Sequence, residues 1–369
     1  MRVLLCGGGT AGHVMPAIAI GEIIEKSFPG ATVAYAGRID GKENSAYVKT
    51  GKKLYTVDIS GFNRSLSINN IKSIFKALKS GRKAKEILRD FKPDLIIGTG
   101  GYVCYPFIRQ GQLLGIKTVM HESNVIPGLV TRLLGKKCNK LLLNLEGTKK
   151  HFKSTANTLV VGNPIRHAFD GMTKKEAKRL LCIPNDHKLI VSFGGSLGSE
   201  ILNETVAEFM EKYIAENKSI HHIHATGRTK YEQIKASHSQ LFTDQVNIKI
   251  LPYIDNMPVL LKAADVAVTR SGAMTVSELC KCGTPSVLIP SPNVSANHQL
   301  LNARYMEEEG ASVVIEEKDL CPEKLDNEIG KILRDPKKAN IMAYNAGRIY
   351  PKNTEVLIVE ALRELIPFK

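Results

Sequence analysis

The chain has 369 residues, more than one hydrophobic core normally serves, so two domains are expected. Its 43% hydrophobic content fits a globular protein, and no run approaches the roughly 18–20 apolar residues that span a membrane. The net charge of +15 is confined to one half: residues 1–163 hold 25 Lys and Arg against 10 Asp and Glu, while the remainder holds 26 of each. That half either faces something anionic or is simply very soluble.

The opening MRVLLC enters a strand pattern at once, without the charged, apolar and cleavage regions of a signal peptide, so no leader is expected. Seven cysteines without a CxxC pair predict reduced thiols and no structural zinc. β-Branched apolar runs recur at 2–6, 32–37, 95–99, 117–121 and 140–144, then at 188–194, 220–226, 248–253, 265–270 and 285–290. Amphipathic helical patterns separate them. This alternation predicts an α/β chain of two parallel sheets, each covered by helices on both faces. The expected units are 1–163, 164–345 and a last helix within 346–369 that packs back on the first. Ligands of such sheets bind beyond the carboxyl ends of the strands, which places the expected site between the two domains.

Glycine-rich strand exits mark the candidate sites. The first strand leads into Gly7, Gly8, Gly9, Thr10, Ala11 and Gly12, which formally satisfy G-x-G-x-x-G. That fingerprint wants an acid at the end of the second strand; here stands Arg38, which would suit a 2′-phosphate, so an NADP enzyme stays open on these residues. His13 follows at a helix start, with Pro16 expected in the first turn. Helix amide dipoles favour a neutral imidazole there, fit to accept a proton, but the position equally suits a capping histidine. GTGGYV offers Gly100, Gly101 and Tyr102 at a second exit, and HESN sets His121, Glu122, Ser123 and Asn124 at a third.

In the second half, GGSLG presents amides and the Ser196 hydroxyl at a helix start. RSGAMTVSEL places Ala273, Met274, Thr275, Val276 and Ser277 at another, with Glu278 one turn in, where a carboxylate reaches ribose hydroxyls. NVSANHQLLNA adds Asn297, His298 and Gln299. Back in the basic half, Ile71, Ile74, Phe75 and Leu78 form one helical stripe among Lys72, Lys76 and Lys79. Such a stripe packs into a core or lies on an anionic membrane, and no nucleic-acid motif accompanies the charge.

In chain order, GGGTAGH, GTGGY, HESN, GNPIR, GGSLG, YIDNM, RSGAMTVSE, PSVLIP and NHQLLNA resemble the bacterial peptidoglycan glycosyltransferase family MurG through nearly the whole chain. The resemblance implies a GT-B fold, two Rossmann-like domains facing across a cleft. It implies an inverting hexosyltransferase of cell-wall synthesis, moving N-acetylglucosamine from UDP-N-acetylglucosamine to the 4-hydroxyl of the muramyl sugar of lipid I, an undecaprenyl-linked acceptor. The β-1,4-linked product is lipid II.

On the matching positions, His13 would be the base. Ser196 and the helix start at Ala273, Met274 and Thr275 would face the diphosphate and Glu278 the ribose, with Val276 and Ser277 also in the UDP-N-acetylglucosamine-binding run. The Ile254 backbone and Arg166 would meet uracil, and Gln299 and Asn124 the sugar, with Thr10, Ala11 and Gly12 closing over the donor. Gly8, Gly9, Gly100, Gly101, Tyr102 and Glu122 would lie on the acceptor side, and Ile71, Lys72, Ile74, Phe75, Lys76, Leu78 and Lys79 toward the membrane. The chain departs from the family pattern at Ala11, Ser123 and Leu197, which bears on donor affinity. No D-x-D is present, so neither a metal ligand set nor a bound cofactor is expected, and magnesium would come with the diphosphate from solution. The implied setting is peripheral, on the cytoplasmic face of an anionic membrane, beside other cell-wall synthesis proteins.

Overall fold

The computed structural model describes residues 1–41, 44–59, 68–153, 157–165, 171–195, 198–243, 245–294 and 297–366, except the side chains of 11 and 68–78. Two compact units share the chain, Met1–Ile165 with Pro351–Lys369, and Arg166–Tyr350.

The first unit is built on seven parallel strands: β1 (Arg2–Cys6), β2 (Thr32–Arg38), β3 (Lys53–Val57), β4 (Leu95–Gly98), β5 (Lys117–Glu122), β6 (Lys140–Leu143) and β7 (Thr158–Val160). Their order is β3-β2-β1-β4-β5-β6-β7, so the winding reverses between β1 and β4. Alternation along β1 fills both faces. Val3 and Leu5 meet α1 (Ala11–Ser27), Tyr47 of α2 (Asn44–Val48), and Ile358, Val359, Ala361 and Leu362 of the final helix α14 (Thr354–Arg363). Leu4 and Cys6 meet Ala84, Ile87, Leu88 and Phe91 of α3 (Ile68–Phe91), with α4 (Cys104–Leu113) and α5 (Leu129–Leu134). Pro16 falls in the second turn of α1, not the first, because the helix already starts at Ala11.

The second unit repeats the plan with six parallel strands: β8 (Lys188–Phe193), β9 (Ile220–Ala225), β10 (Ile248–Leu251), β11 (Val266–Thr269), β12 (Ser286–Leu288) and β13 (Ser312–Val314). The order is β10-β9-β8-β11-β12-β13, reversing between β8 and β11. Ile190, Val266, Val268 and Val287 form one core with helices α7 (Glu200–Phe209) and α12 (Pro322–Leu333). Helix α6 (Lys174–Leu180) packs on α9 (Met257–Ala263), which lies against β8, and α10 (Ala273–Cys282) lies beside α9. Local chemistry sets the helix ends. Thr173 and Glu176 form a capping box on α6, and Gly283 closes α10 in the left-handed region. The remaining helices are α8 (Tyr231–Ser237), α11 (His298–Glu308) and α13 (Pro336–Ile349).

Strands β3, β7 and β13 are absent from the sequence reading. Each lies at a sheet edge, and two of the three have only three residues. An edge strand is half covered and short, so the apolar run that marks a buried strand does not develop.

Candidate active site

In an open parallel sheet the binding crevice lies where the strand order reverses. In the first unit that point joins the turn after β1 to the turn after β4. Gly8 N–H donates to Gly100 O at 3.3 Å, and Thr99 N–H to Cys6 O at 2.9 Å, zipping the two turns together. The half-buried His13 ring lies across this junction. Its Nδ1 is 2.9 Å from Gly8 O and 3.3 Å from Thr10 Oγ1. A carbonyl oxygen only accepts, so Nδ1 carries the proton in the neutral ring and the lone pair sits on Nε2. The side chain therefore does not cap its own helix; the α1 N-cap, Thr10, has no side-chain cap bond.

The ring rests on glycine. A Cβ at Gly100 would collide with the imidazole, and one at Gly101 with Gly8 O; both residues hold left-handed backbone, at φ 120° and 80°. Only glycine combines that conformation with so close an approach. Thr99 Oγ1 donates to His13 O at 2.7 Å, fixing the first turn of α1 from below. Tyr102 is 40% exposed and Gly9 is exposed, so the surroundings of the ring are open to a ligand.

Glu122 plays a different part. Its Oε1 accepts from Asn124 N–H and Nδ2 at 3.1 and 3.3 Å, and its Oε2 from Gly128 N–H at 2.9 Å. Both carboxylate oxygens thus shape the loop that presents Asn124. Behind it, burial holds His121 neutral, with Nε2 3.0 Å from Gly162 O, and Asn144 Nδ2 donates to Ser123 O at 2.8 Å.

The second unit's switch point joins the turn after β8 to the turn after β11. Ser196, Leu197 and Arg166 lie outside the described residues. Around them, a Cβ at Gly198, with φ of 76°, would collide with Thr226 O. The buried Arg270 guanidinium, unassigned by sequence reasoning, organises this end of the sheet. Nη1 donates to Ile289 O at 3.1 Å, and Nη2 donates to Ser199 Oγ and pairs with Glu317. It ties the exits of β8, β11 and β12 to the segment after β13. The one sequence signal is a cation directly after the short strand VAVT.

Helix α10 starts at Gly272 with no side-chain cap and no acidic residue in its first turn. Its amide end therefore suits an anion. Ala273, Met274 and Thr275 are partly exposed there. Val276 and Ser277 have only backbone to offer a ligand. The Val276 side chain is fully buried, and Ser277 is buried with its hydroxyl donating to Ala273 O at 3.0 Å, because the helical phase turns both inward. Glu278 is partly exposed one turn in. Ser271 Oγ donates to Gln299 O at 2.7 Å, and Gln299 Oε1 accepts from Ser291 N–H at 2.9 Å, so the exits of β11 and β12 and the start of α11 converge. The Ile254 side chain is buried, leaving its backbone for contact. Ala11's side chain and those of Ile71, Lys72, Ile74, Phe75, Lys76 and Leu78 lie outside the described residues; Lys79 is exposed. Among the described residues no cluster of His, Cys, Asp and Glu suits a metal ion.

Two Rossmann-type sheets in tandem, each with a glycine turn at its switch point, are the GT-B arrangement, and the family matches make the chain a glycosyltransferase of that class. The glycosyltransferase family 28 N-terminal domain matches residues 3–143 and the C-terminal domain residues 189–357. Within that class the chain belongs to the MurG family. It is 38% identical over 369 residues, all of this chain and 99% of the relative, to the UDP-N-acetylglucosamine–N-acetylmuramyl-(pentapeptide) pyrophosphoryl-undecaprenol N-acetylglucosamine transferase of Acetivibrio thermocellus. A transferase of that name from Bacillus thuringiensis is 36% identical over 366 residues, 99% of this chain and 100% of the relative. The solved Acinetobacter baumannii MurG shares the fold with a TM-score of 0.78 at 24% identity, covering 98% of this chain and 99% of that one. A UDP-GlcNAc 2-epimerase from Neisseria meningitidis, bound to UDP-GlcNAc, superposes with a TM-score of 0.65 at 14% identity, covering 99% and 100%.

Proposed function

We propose that this chain transfers N-acetylglucosamine from UDP-N-acetylglucosamine to the muramyl 4-hydroxyl of lipid I, making lipid II, with His13 as the base. The observation that carries the base assignment is the 2.9 Å bond from Nδ1 to Gly8 O, which leaves the Nε2 lone pair to accept a proton. As Nε2 takes the hydroxyl proton, the oxygen attacks the anomeric carbon opposite the diphosphate. The carbon–oxygen bond to UDP breaks, and an α-linked donor yields a β-linkage. The charge on departing UDP is met by the amide end of α10 and by Ser196. Glu278 holds the ribose, and Arg166 and the Ile254 backbone hold uracil. Gln299, its Oε1 engaged by Ser291, turns Nε2 toward the sugar, with Asn124 and Thr10 to Gly12 as its other neighbours. Gly8, Gly9, Gly100, Gly101 and Tyr102 border the acceptor, with Glu122 shaping that border.

A lipid-linked acceptor calls for an enzyme at the membrane surface, and we place this one peripherally on the cytoplasmic face. Among the described residues no helix is long and apolar enough to cross a membrane. Leu113, Leu129 and Leu133 stand 60%, 45% and 56% exposed on α4 and α5, which Gln112 Nε2 links through Leu134 O at 3.2 Å. Arg132, Lys136 and Lys137 are exposed beside them. Apolar residues ringed by cations suit an anionic leaflet, each cation adding on the order of 1 kcal/mol. Lys72, Lys76 and Lys79 changed together to Gln should cut sedimentation with anionic vesicles at low salt and leave UDP binding intact. Unchanged sedimentation would remove α3 from the membrane face.

Turnover of UDP-N-acetylglucosamine with a short-chain lipid I analogue tests the function. A β-1,4 disaccharide product is expected; glycosylation of a diacylglycerol acceptor instead would overturn the acceptor assignment.

A further inference from the structure

We infer that the buried Cys104 thiol is a positioning residue for the His13 imidazole, acting through the Gly100 peptide. Cys104 begins α4 and forms part of the core between the first sheet and α3. Its Sγ accepts from Gly100 N–H at 3.2 Å and lies 3.0 Å from both Gly100 O and Cys6 O, which share its one proton. One side chain therefore grips both ends of the Gly100 residue and ties it to the last residue of β1. Gly100 holds φ at 120°, and the His13 ring rests where its Cβ would be. Glycine can occupy that conformation but does not enforce it, since it visits many others as readily. The thiol supplies the restraint. If it is removed, Gly100 N–H loses its partner and only Gly8 N–H still holds the Gly100 carbonyl, so the surface under the imidazole is less tightly fixed. Gly8 loosens too, because its N–H donates to Gly100 O while its own carbonyl holds His13 Nδ1.

This inference rests on His13 being the base. Misplacing a reacting group by about 1 Å costs roughly 10²-fold in rate. The test compares Cys104→Val, which keeps apolar volume and loses both hydrogen-bonding functions, with Cys104→Ser, which keeps a donor and an acceptor. Turnover is read with UDP-N-acetylglucosamine and a short-chain lipid I analogue, beside a thermal melt of each variant. Cys104→Val should lower kcat roughly ten- to hundredfold with the donor KM unchanged. Cys104→Ser should restore most of that loss. In a His13→Ala background, Cys104→Val should cost nothing more, because the ring it positions is gone.

A purely packing role predicts the reverse order, Val at least as active as Ser, and that result would overturn the inference. So would losses that add in the double variant. Should Cys104→Val not fold, Cys104→Ala takes its place in the same comparison. If His13→Ala alone keeps near-normal turnover, the base assignment falls and positioning with it. If His13→Ala is slow while Cys104→Val is fast, only the positioning claim falls.

Discussion

The turn after β1 and the turn after β8 occupy the same place in two sheets of the same strand logic, yet they are filled with opposite chemistry. In the first unit the neighbouring exit, after β4, brings two glycines, and the space they leave is taken by the His13 ring. In the second, the neighbouring exit, after β11, brings Arg270, whose guanidinium knits four loops together. The fold fixes where a site forms. What fills that place differs with the strand across the switch point: an imidazole over two glycines in one unit, a buried guanidinium paired with Glu317 in the other.

The largest effect should come from emptying the first turn. His13→Ala should lower turnover by roughly 10²–10⁴-fold, the usual range for loss of a general base, while UDP affinity stays as it was. UDP binding by calorimetry beside a turnover assay checks both halves of that statement. Near-normal turnover would dissolve the contrast between the two turns.

Breaking the second turn should show as stability before activity. Arg270→Met leaves the Glu317 carboxylate nearly buried and without its guanidinium partner, and severing one side of such a pair costs about 3–5 kcal/mol. Calorimetric melting should show a destabilised second unit, and adding Glu317→Leu should recover much of the loss. A melting curve that ignores Arg270→Met would mean the guanidinium does not organise that end of the sheet.

Of this contrast, the parts built from neighbours in sequence were legible. Strand, glycines and helix follow one another within a dozen residues, so both turns and His13 stood out, and alternating runs gave ten of the thirteen strands. What joins distant segments was not legible. Thr99 lies 86 residues from His13, Cys104 98 residues from Cys6, and Arg270 47 residues from Glu317, and no local period links them. The inward turn of Val276 and Ser277 depends on where α10 starts, and the use of both Glu122 oxygens on its own loop shows only once that loop is folded.

Within the donor site the division of labour should be resolvable. Glu278→Ala should weaken UDP and UDP-N-acetylglucosamine alike, by about 1.5–3 kcal/mol for a charged hydrogen bond. Gln299→Ala should weaken only the sugar nucleotide, by about 0.5–1.5 kcal/mol. Equal loss of UDP in both variants would contradict the assigned roles.

A pH dependence of stability also sets the second unit apart. His222 and His224 both bond Ser192 Oγ, at 2.7 and 2.8 Å, inside the core under α7. Burial, with the neighbouring His224, pushes His222 well down, and burial pushes His224 down to about 4. Their folded values lie below the unfolded 6.5. The stability they contribute is therefore complete above that pH and is lost as the pH falls toward 4, by about 1.4 kcal/mol per pH unit for each. His238 runs the other way. Burial opposes its charge, but bonds to Glu204 and Glu211 raise it, so its contribution is present at low pH and lost as pH rises through the raised value. Melts of the parent and of His238→Gln between pH 7.5 and 5 should separate the two signs; a His238→Gln second unit equally stable at both ends would contradict the account of the buried pair.

The most direct test of the central claim addresses a single atom. The His13 imidazole can be replaced by a pyrrol-2-yl ring, whose N–H stands at the Nδ1 position and whose C–H replaces Nε2, so the bond to Gly8 O is kept and only the basic nitrogen is lost. Turnover with UDP-N-acetylglucosamine and a lipid I analogue should then fall to the level of His13→Ala, with donor binding unchanged. Turnover close to that of the parent enzyme would show that Nε2 does not take the proton.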